Sequence, residues 1–287
     1  GRYYATAQGE PAEVANALDE FYAPRHAGDH IAHGGLSRVL AIADKADTLA
    51  GAFAIGQKPT GNKDPFSLRR TALGLARTLI EGGLELNLVG LLREAADAIA
   101  SDKSEAVANE LYDFVLERLR GYYAEQGIGA DQFDAVAAVR PASLVDFDRR
   151  LRAIAEFAKL PEAASLAAAN KRIGNILRQA REKSIAPAAK VDAALLEPGA
   201  ETTLADRVAA LHATLAPLVH EHRYVEAMRA LASLQAPVDA YFDAVMVMVD
   251  DTARRDNRLA LLARLRAQFL AIADISLLQP SAERVAS

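Results

Sequence analysis

Apolar residues recur three and four positions apart along nearly the whole chain, and this spacing constrains the fold more than any other feature. Ile173, Ile176, Leu177 and Ala180 fall on one side of a helix that turns about 100° per residue. Leu261, Leu262, Leu265, Phe269 and Ile272 do the same near the end of the chain. Runs rich in Val, Ile and Thr with strict alternation, which half-buried strands need, are missing. The pattern predicts an all-α chain. Helices are expected over Glu10–Tyr22, Leu36–Phe53, Pro65–Glu81, Leu88–Ala100, Glu105–Glu125, Asp131–Val139 and Leu144–Phe157. Others are expected over Leu166–Lys183, Thr203–Val219, Tyr224–Leu234, Pro237–Val249 and Arg254–Ala273. Gly82-Gly83 and the segments "SIAPAAK" and "LEPGAETT" mark breaks between them. The short polar segment Ser101–Ala106 is the expected domain boundary, giving domains 1–105 and 106–287.

With 287 residues, 51% of them hydrophobic, and a mean hydropathy of +0.02, the chain has the composition of a soluble globular protein. The 38 acidic residues outnumber the 33 basic ones, so a polyanion would have to be met by a local patch. No cysteine is present, which excludes disulfides and thiolate metal sites and fits a reducing compartment such as the cytoplasm. The opening "GRYYATAQGE" is not a basic-then-apolar leader. The late apolar stretch "RLALLARLRAQFLAIADISLLQ" is interrupted by Arg264, Arg266 and Asp274, so no membrane association is expected.

The segment Ile55–Arg70, "IGQKPTGNKDPFSLRR", approaches a phosphate-cradling loop. Gly56 and Gly61 have the right separation. Lys63 comes one position late, however, Asp64 replaces the metal-binding hydroxyl, and the preceding segment reads as helix rather than strand. A rigid turn is the better reading. Gly56 suits a left-handed helix exit, Pro59 stiffens the loop, and Asp64 can cap a helix whose first residue is Pro65. The turn would place Lys58, Lys63, Arg69 and Arg70 near one helix start, as phosphate contacts or as a solvated end.

Read with its upstream residues, the same segment becomes "ADKADTLAGAFAIGQKPTGNKDPFSLRR". This resembles a signature of the β subunit of bacterial heterotetrameric glycyl-tRNA synthetase. "GRYYA", "ALDEFYAPRHAGD" and "VMVMVDDTARRDNRLALLARLRAQFLAIADISLLQ" resemble the same family, in the same order. The resemblance implies the C-terminal part of that subunit, with a truncated, degenerate HD-like helical domain followed by a DALR-type anticodon-binding helical bundle, its core about 167–280. It implies tRNA(Gly) and a catalytic α subunit as partners, in a heterotetramer of two α and two β subunits, with no DNA or membrane partner. Glycine attachment would use ATP and Mg²⁺ on the α subunit, so this chain is expected to be non-catalytic and to hold no cofactor. "DTARRDNRLALLARL" is the match to the DALR signature, with Asp251-Thr252-Ala253-Arg254 in place of the literal motif.

HD hydrolases hold metal with a His, a His-Asp pair and a later Asp. This sequence has no His-Asp dipeptide, and only Asp44 and Asp47 resemble the last ligand's region. His26, His30 and His33 lie in a Gly-rich loop and read as solvated side chains, so no metal site is expected. A metal-dependent phosphohydrolase and an inert assembly scaffold remain the alternatives to RNA binding.

A second candidate segment for RNA contact lies further along the chain. Between Asn170 and Lys190 six basic residues face a single acid, Glu182, so this segment carries +5 on a chain of net −5. Lys171, Asn175 and Arg178 align opposite the apolar stripe, while Arg172, Gln179 and Lys183 form a second row. Arg181 belongs to the same island. These rows could hold phosphate and base edges, or simply solvate a helix. The last helix reads as core, with Arg258 snorkelling or paired to an acid such as Asp251, and Met246 and Met248 as packing residues.

Overall fold

A computed structural model of the chain describes residues 1–26 and 28–279. It is all-α, with thirteen α-helices and no strand among the described residues. They are α1 (Arg2–Ala7), α2 (Ala12–Glu20), α3 (Gly35–Ala54), α4 (Leu68–Glu81), α5 (Leu88–Ala100), α6 (Ser104–Ala124) and α7 (Ala130–Ala137). These are followed by α8 (Leu144–Phe157), α9 (Ala163–Glu182), α10 (Ala200–His220), α11 (Tyr224–Ala232), α12 (Gln235–Ala244) and α13 (Thr252–Leu270). No helix among the described residues is long and apolar enough to cross a membrane. Two compact units result, one from Gly1–Gln126 with Pro141–Asp148, the other from Gly127–Arg140 with Arg149 onward.

In the first unit α3 is the central helix, packed against α2, α4, α5 and α6. Its buried Ala41, Ile42, Ala46, Leu49, Ala50 and Phe53 keep the three-and-four spacing read from the sequence. Each fully buried Leu or Phe in such a face contributes about 1.5–3 kcal/mol. The expected boundary at Ser101–Ala106 is not where the units divide. Ser101–Lys103 is one 3₁₀ turn joining α5 to α6, and α6 packs on α3, α4 and α5 through Leu111, Val115 and Leu119. The apolar face of α6 therefore keeps it in the first unit. Tyr112 and Tyr123 then anchor the returning segment, donating to the Pro141 carbonyl at 2.9 Å and to Asp148 at 3.0 Å.

The 55–67 turn follows the sequence in part. Gly56 and Gly61 take φ of +76° and +49°, which only glycine adopts cheaply. Asp64 caps the next helix, accepting from the N–H groups of Leu68 at 2.8 Å and Arg69 at 3.0 Å. Pro65 is not the first helical residue. The cap reaches forward four and five positions, so α4 starts at Leu68 after Ser67, whose φ is +54°.

In the second unit α13 runs through the core, burying Leu261, Leu262, Leu265 and Phe269, with α9 and α10 packed on it. A 3₁₀ turn at Ile275–Leu277 packs on α7 and α9, and the Asp274 N–H donates to the Ala135 carbonyl at 2.8 Å. Three expectations fail here, at least in part. The helix expected over Pro237–Val249 ends at Ala244, and the chain beyond it is non-helical with Val247 buried. Met246 and Met248 flank Val247, are 74% and 38% exposed, and do not pack in the core. Arg258 is buried, as the core reading requires, but its partners are Glu201 and Glu197. Asp251 instead accepts from the Arg254 N–H as the N-cap of α13.

Candidate nucleic-acid interface

Helix α9 separates its faces as its sequence dictates. Ile173 and Ala180 are buried, Ile176 and Leu177 are half-buried, and Lys171, Arg172, Asn175, Arg178, Gln179, Arg181 and Lys183 are all exposed. The helix sits against α12 and α13 through its buried side. Close seating depends on Gly174: a Cβ there would lie 2.5 Å from Arg266 Nη1, which donates to the Asn170 carbonyl at 3.1 Å. The second terminal nitrogen of Arg266 pairs with Asp274 at 2.8 Å, tying α9 to the segment after α13. Sequence reasoning missed both Gly174 and Arg266, whose partners are remote in the chain.

The cations of this ridge are not equivalent. Arg172 lies over the Phe242 ring, its guanidinium carbon 4.2 Å from the centroid, which fixes the side chain while leaving its edge open to hydrogen bonds. Arg178 is partly neutralised, paired with Glu182 at 2.9 Å across one helical turn. Lys171, Arg181 and Lys183 have no ion-pair partner among the described residues. Arg181 also borders a cavity of about 360 Å³ floored by Leu177, Ile185, Pro187 and Ala263. An apolar floor with a guanidinium at its edge is suited to a planar ring carrying a nearby negative charge. The helix ends there because Ser184 takes φ of +58° and the Ile185 N–H closes onto the Ala180 carbonyl at 2.8 Å.

The second basic group, in the first unit, is only partly assembled. Lys58 is paired with Glu110 at 2.6 Å, and Lys63 is exposed. Arg69 donates to the Gly61 carbonyl at 2.6 Å, and Arg70 is exposed with no ion-pair partner among the described residues. The leading N–H groups of α4 are taken by Asp64, so its helix start does not present them to an outside anion. Arg69 and Arg70 share a cavity with Arg77 and Arg118, which the sequence reading did not connect to them.

Elsewhere the polar groups near α3 do not converge. Asp44 and Asp47 are exposed, whereas Lys45 between them is buried. Burial pushes the Lys45 ammonium below its ordinary pKa, partly offset by Asp44, and the group donates to the Phe21 carbonyl at 2.8 Å. His26, His30 and His33 are exposed. The rings of His30 and His33 stack 4.6 Å apart, and His30 Nδ1 lies 3.2 Å from Asp29. Among the described residues no three His, Asp or Glu side chains are grouped as metal ligands.

A helical body carrying an outward cationic ridge defines a class before it defines a protein. Residues 166–278, which contain that ridge, match the DALR anticodon binding domain. Residues 1–138 match the glycyl-tRNA synthetase beta subunit family. The chain is 52% identical over 282 residues to the glycine–tRNA ligase beta subunit of Xanthomonas campestris pv. campestris strain 8004, a match spanning 96% of this chain and 40% of that protein. It is 50% identical over 281 residues to the corresponding subunit of Sodalis glossinidius, and 47% over 279 to that of Pseudomonas aeruginosa strain LESB58. Each of these two matches spans 97% of this chain and 40% of the relative. The chain belongs to the glycyl-tRNA synthetase β-subunit family and spans about 40% of the length of these curated relatives.

Proposed function

We propose that this chain binds tRNA(Gly) on behalf of a glycine–tRNA ligase, with the ridge of α9 in contact with the RNA. The carrying observation is that exposed Lys171, Arg172, Arg178 and Arg181 on α9, with Lys183 at its C-cap, lie within the segment that matches the anticodon binding domain. Phosphate contacts by Arg and Lys set affinity and register, while Asn175 and Gln179 on the same ridge can reach base edges. The cavity beside Arg181 offers an apolar seat for an unstacked base. Lys58, Lys63, Arg69 and Arg70 form a second phosphate-contacting group on the other unit, with Lys58 weakened by its pairing to Glu110.

On this reading the chain recognises the tRNA, while ATP- and Mg²⁺-dependent glycine attachment is carried by a separate α subunit in a cytoplasmic assembly of two α and two β subunits. The chain itself holds no cofactor and has no catalytic residue. The test is binding of tRNA(Gly) and of a non-cognate tRNA at several salt concentrations. Affinity for tRNA(Gly) should fall steeply with salt and exceed that for the non-cognate RNA. Salt-independent binding, or binding no tighter than that of an acidic helical control, would reject the proposal.

A further inference from the structure

One cavity of the first unit has a chemistry that an extended RNA contact does not require. On α4, Arg70, Leu73, Gly74 and Arg77 follow the spacing that puts residues on one helical face, and all four line a cavity of about 350 Å³. Arg69 from the same helix and Arg118 from α6 also line it, so four arginines border one space, with Pro24 as an apolar wall. The carboxylates that pair with these arginines are Glu81, with Arg77, and Glu117, 3.6 Å from Arg118. Arg69 and Arg70 have no carboxylate partner among the described residues. Arg118 Nε is sealed from solvent and has no hydrogen-bond partner there.

An unpaired, buried guanidinium N–H is costly, and clustered cations repel one another. The repulsion is relieved by an anion that brings several acceptor oxygens and more than one charge. We infer that this cavity is a binding site for a compact, multiply charged phosphate group, of which inorganic pyrophosphate is the smallest example. A bridging phosphodiester fits less well. It carries a single charge, so a contact of that kind at Arg69 and Arg70 would leave the Arg77 and Arg118 side of the cavity unfilled. Arg77 is already held in place by Glu81 and by the Asp29 carbonyl, to which Nη2 donates at 2.8 Å, so the recess is in part preorganised. The inference does not depend on RNA binding by α9.

The test is calorimetric titration of the chain with inorganic pyrophosphate, with inorganic phosphate for comparison, at low and moderate salt. Pyrophosphate should bind at one site, more tightly than phosphate. Arg70→Ala and Arg118→Ala should each weaken it about tenfold or more, as expected when a charge-assisted hydrogen bond is removed. Arg70 is exposed, so its variant keeps the test valid if Arg118→Ala does not fold. Lys171→Ala with Arg178→Ala should leave pyrophosphate affinity unchanged while lowering tRNA affinity. No saturable binding of pyrophosphate, or equal binding by Arg70→Ala, would overturn the inference. Pyrophosphate binding without tRNA binding would instead reject the function proposed for the ridge and leave this site standing.

Discussion

Glu201 and Arg258 form an ion pair inside the second unit. Arg258 Nη2 lies 3.0 Å from Glu201 Oε2, with the two side chains 4% and 1% exposed. Its Nε lies 3.2 Å from both carboxylate oxygens, Nη1 donates to the Met246 carbonyl at 2.9 Å, and Glu197 adds a further contact at 3.0 Å. Burial alone would lower the pKa of the guanidinium, but the hydrogen bond and charge of Glu201, with Glu197, hold it above the ordinary value. The same burial, with the negative charge of Glu201, pushes the Tyr241 phenol upward.

Removing one partner leaves the other charge buried, and that loss exceeds what the pair itself contributes. Glu201→Ala is therefore expected to destabilise the chain, by less than the ~3–5 kcal/mol of a fully orphaned charge because Glu197 still pairs with Arg258. The paired replacement Glu201→Leu with Arg258→Met should recover most of that loss. Urea unfolding of the single and double variants checks both statements. Additive losses would show that the two side chains do not act as a unit.

Gly174→Ala is expected to loosen α9. Its Cβ would lie 2.5 Å from Arg266 Nη1, forcing the guanidinium away from the Asn170 carbonyl and Asp274. The lost Arg266 contacts should cost about 1–3 kcal/mol, offset in part by the roughly 0.5–1 kcal/mol that Ala gains over Gly inside a helix. In an Arg266→Ala background the same change should cost much less. A double-mutant cycle by chemical denaturation reads the coupling directly.

These two sites show where sequence reasoning stops. The all-α class and the solvent-facing side of α9 were legible because a 3.6-residue period writes burial into local spacing. Asp64 was legible as a cap because its partners lie four and five residues away. Arg258 was legible as a core arginine, but its partner was not, because Glu201 is 57 positions distant and Asp251 only looked nearer. The grouping of Arg118 with Arg70 and Arg77 depends on how α6 packs against α4, which no local pattern encodes. Met246 and Met248 misled because apolar residues read as buried unless the end of the helix is known, and α12 stops two residues before Met246.

Glu20 ties down the backbone at His33 and Gly34 and gives that contact a pH dependence. Its Oε2 accepts from the N–H groups of Gly34 at 3.3 Å and His33 at 3.1 Å. The Gly34 N–H, followed by the Ser37 side chain, holds the carboxyl pKa below its ordinary 4.5 despite partial burial. A carboxyl lowered by folding stabilises the native state above its unfolded pKa, and the contribution disappears as pH falls through the folded value. Glu20→Gln lacks this ionisation. The stability difference between wild type and Glu20→Gln should therefore be constant near neutrality and shrink as pH drops below about 4.5. Thermal unfolding at a series of pH values measures it, and a difference independent of pH would contradict the assignment.

Arg178 and Glu182 offer a sharper test of the ridge than removal of another cation. Their 2.9 Å pairing occupies part of the guanidinium and offsets its charge, and both side chains are about 60% exposed. If α9 grips RNA, Glu182→Gln releases Arg178 and removes a repelling charge, so tRNA should bind more tightly and its salt dependence should steepen. Arg178→Ala should weaken binding and lower the slope of log affinity against log salt by about one for each phosphate that is no longer neutralised. Opposite signs for two neighbouring substitutions cannot arise from a general loss of folding, which would weaken binding in both. Fluorescence anisotropy with tRNA(Gly) across a salt series makes the measurement, and equal affinities for the two variants would remove Arg178 from the interface.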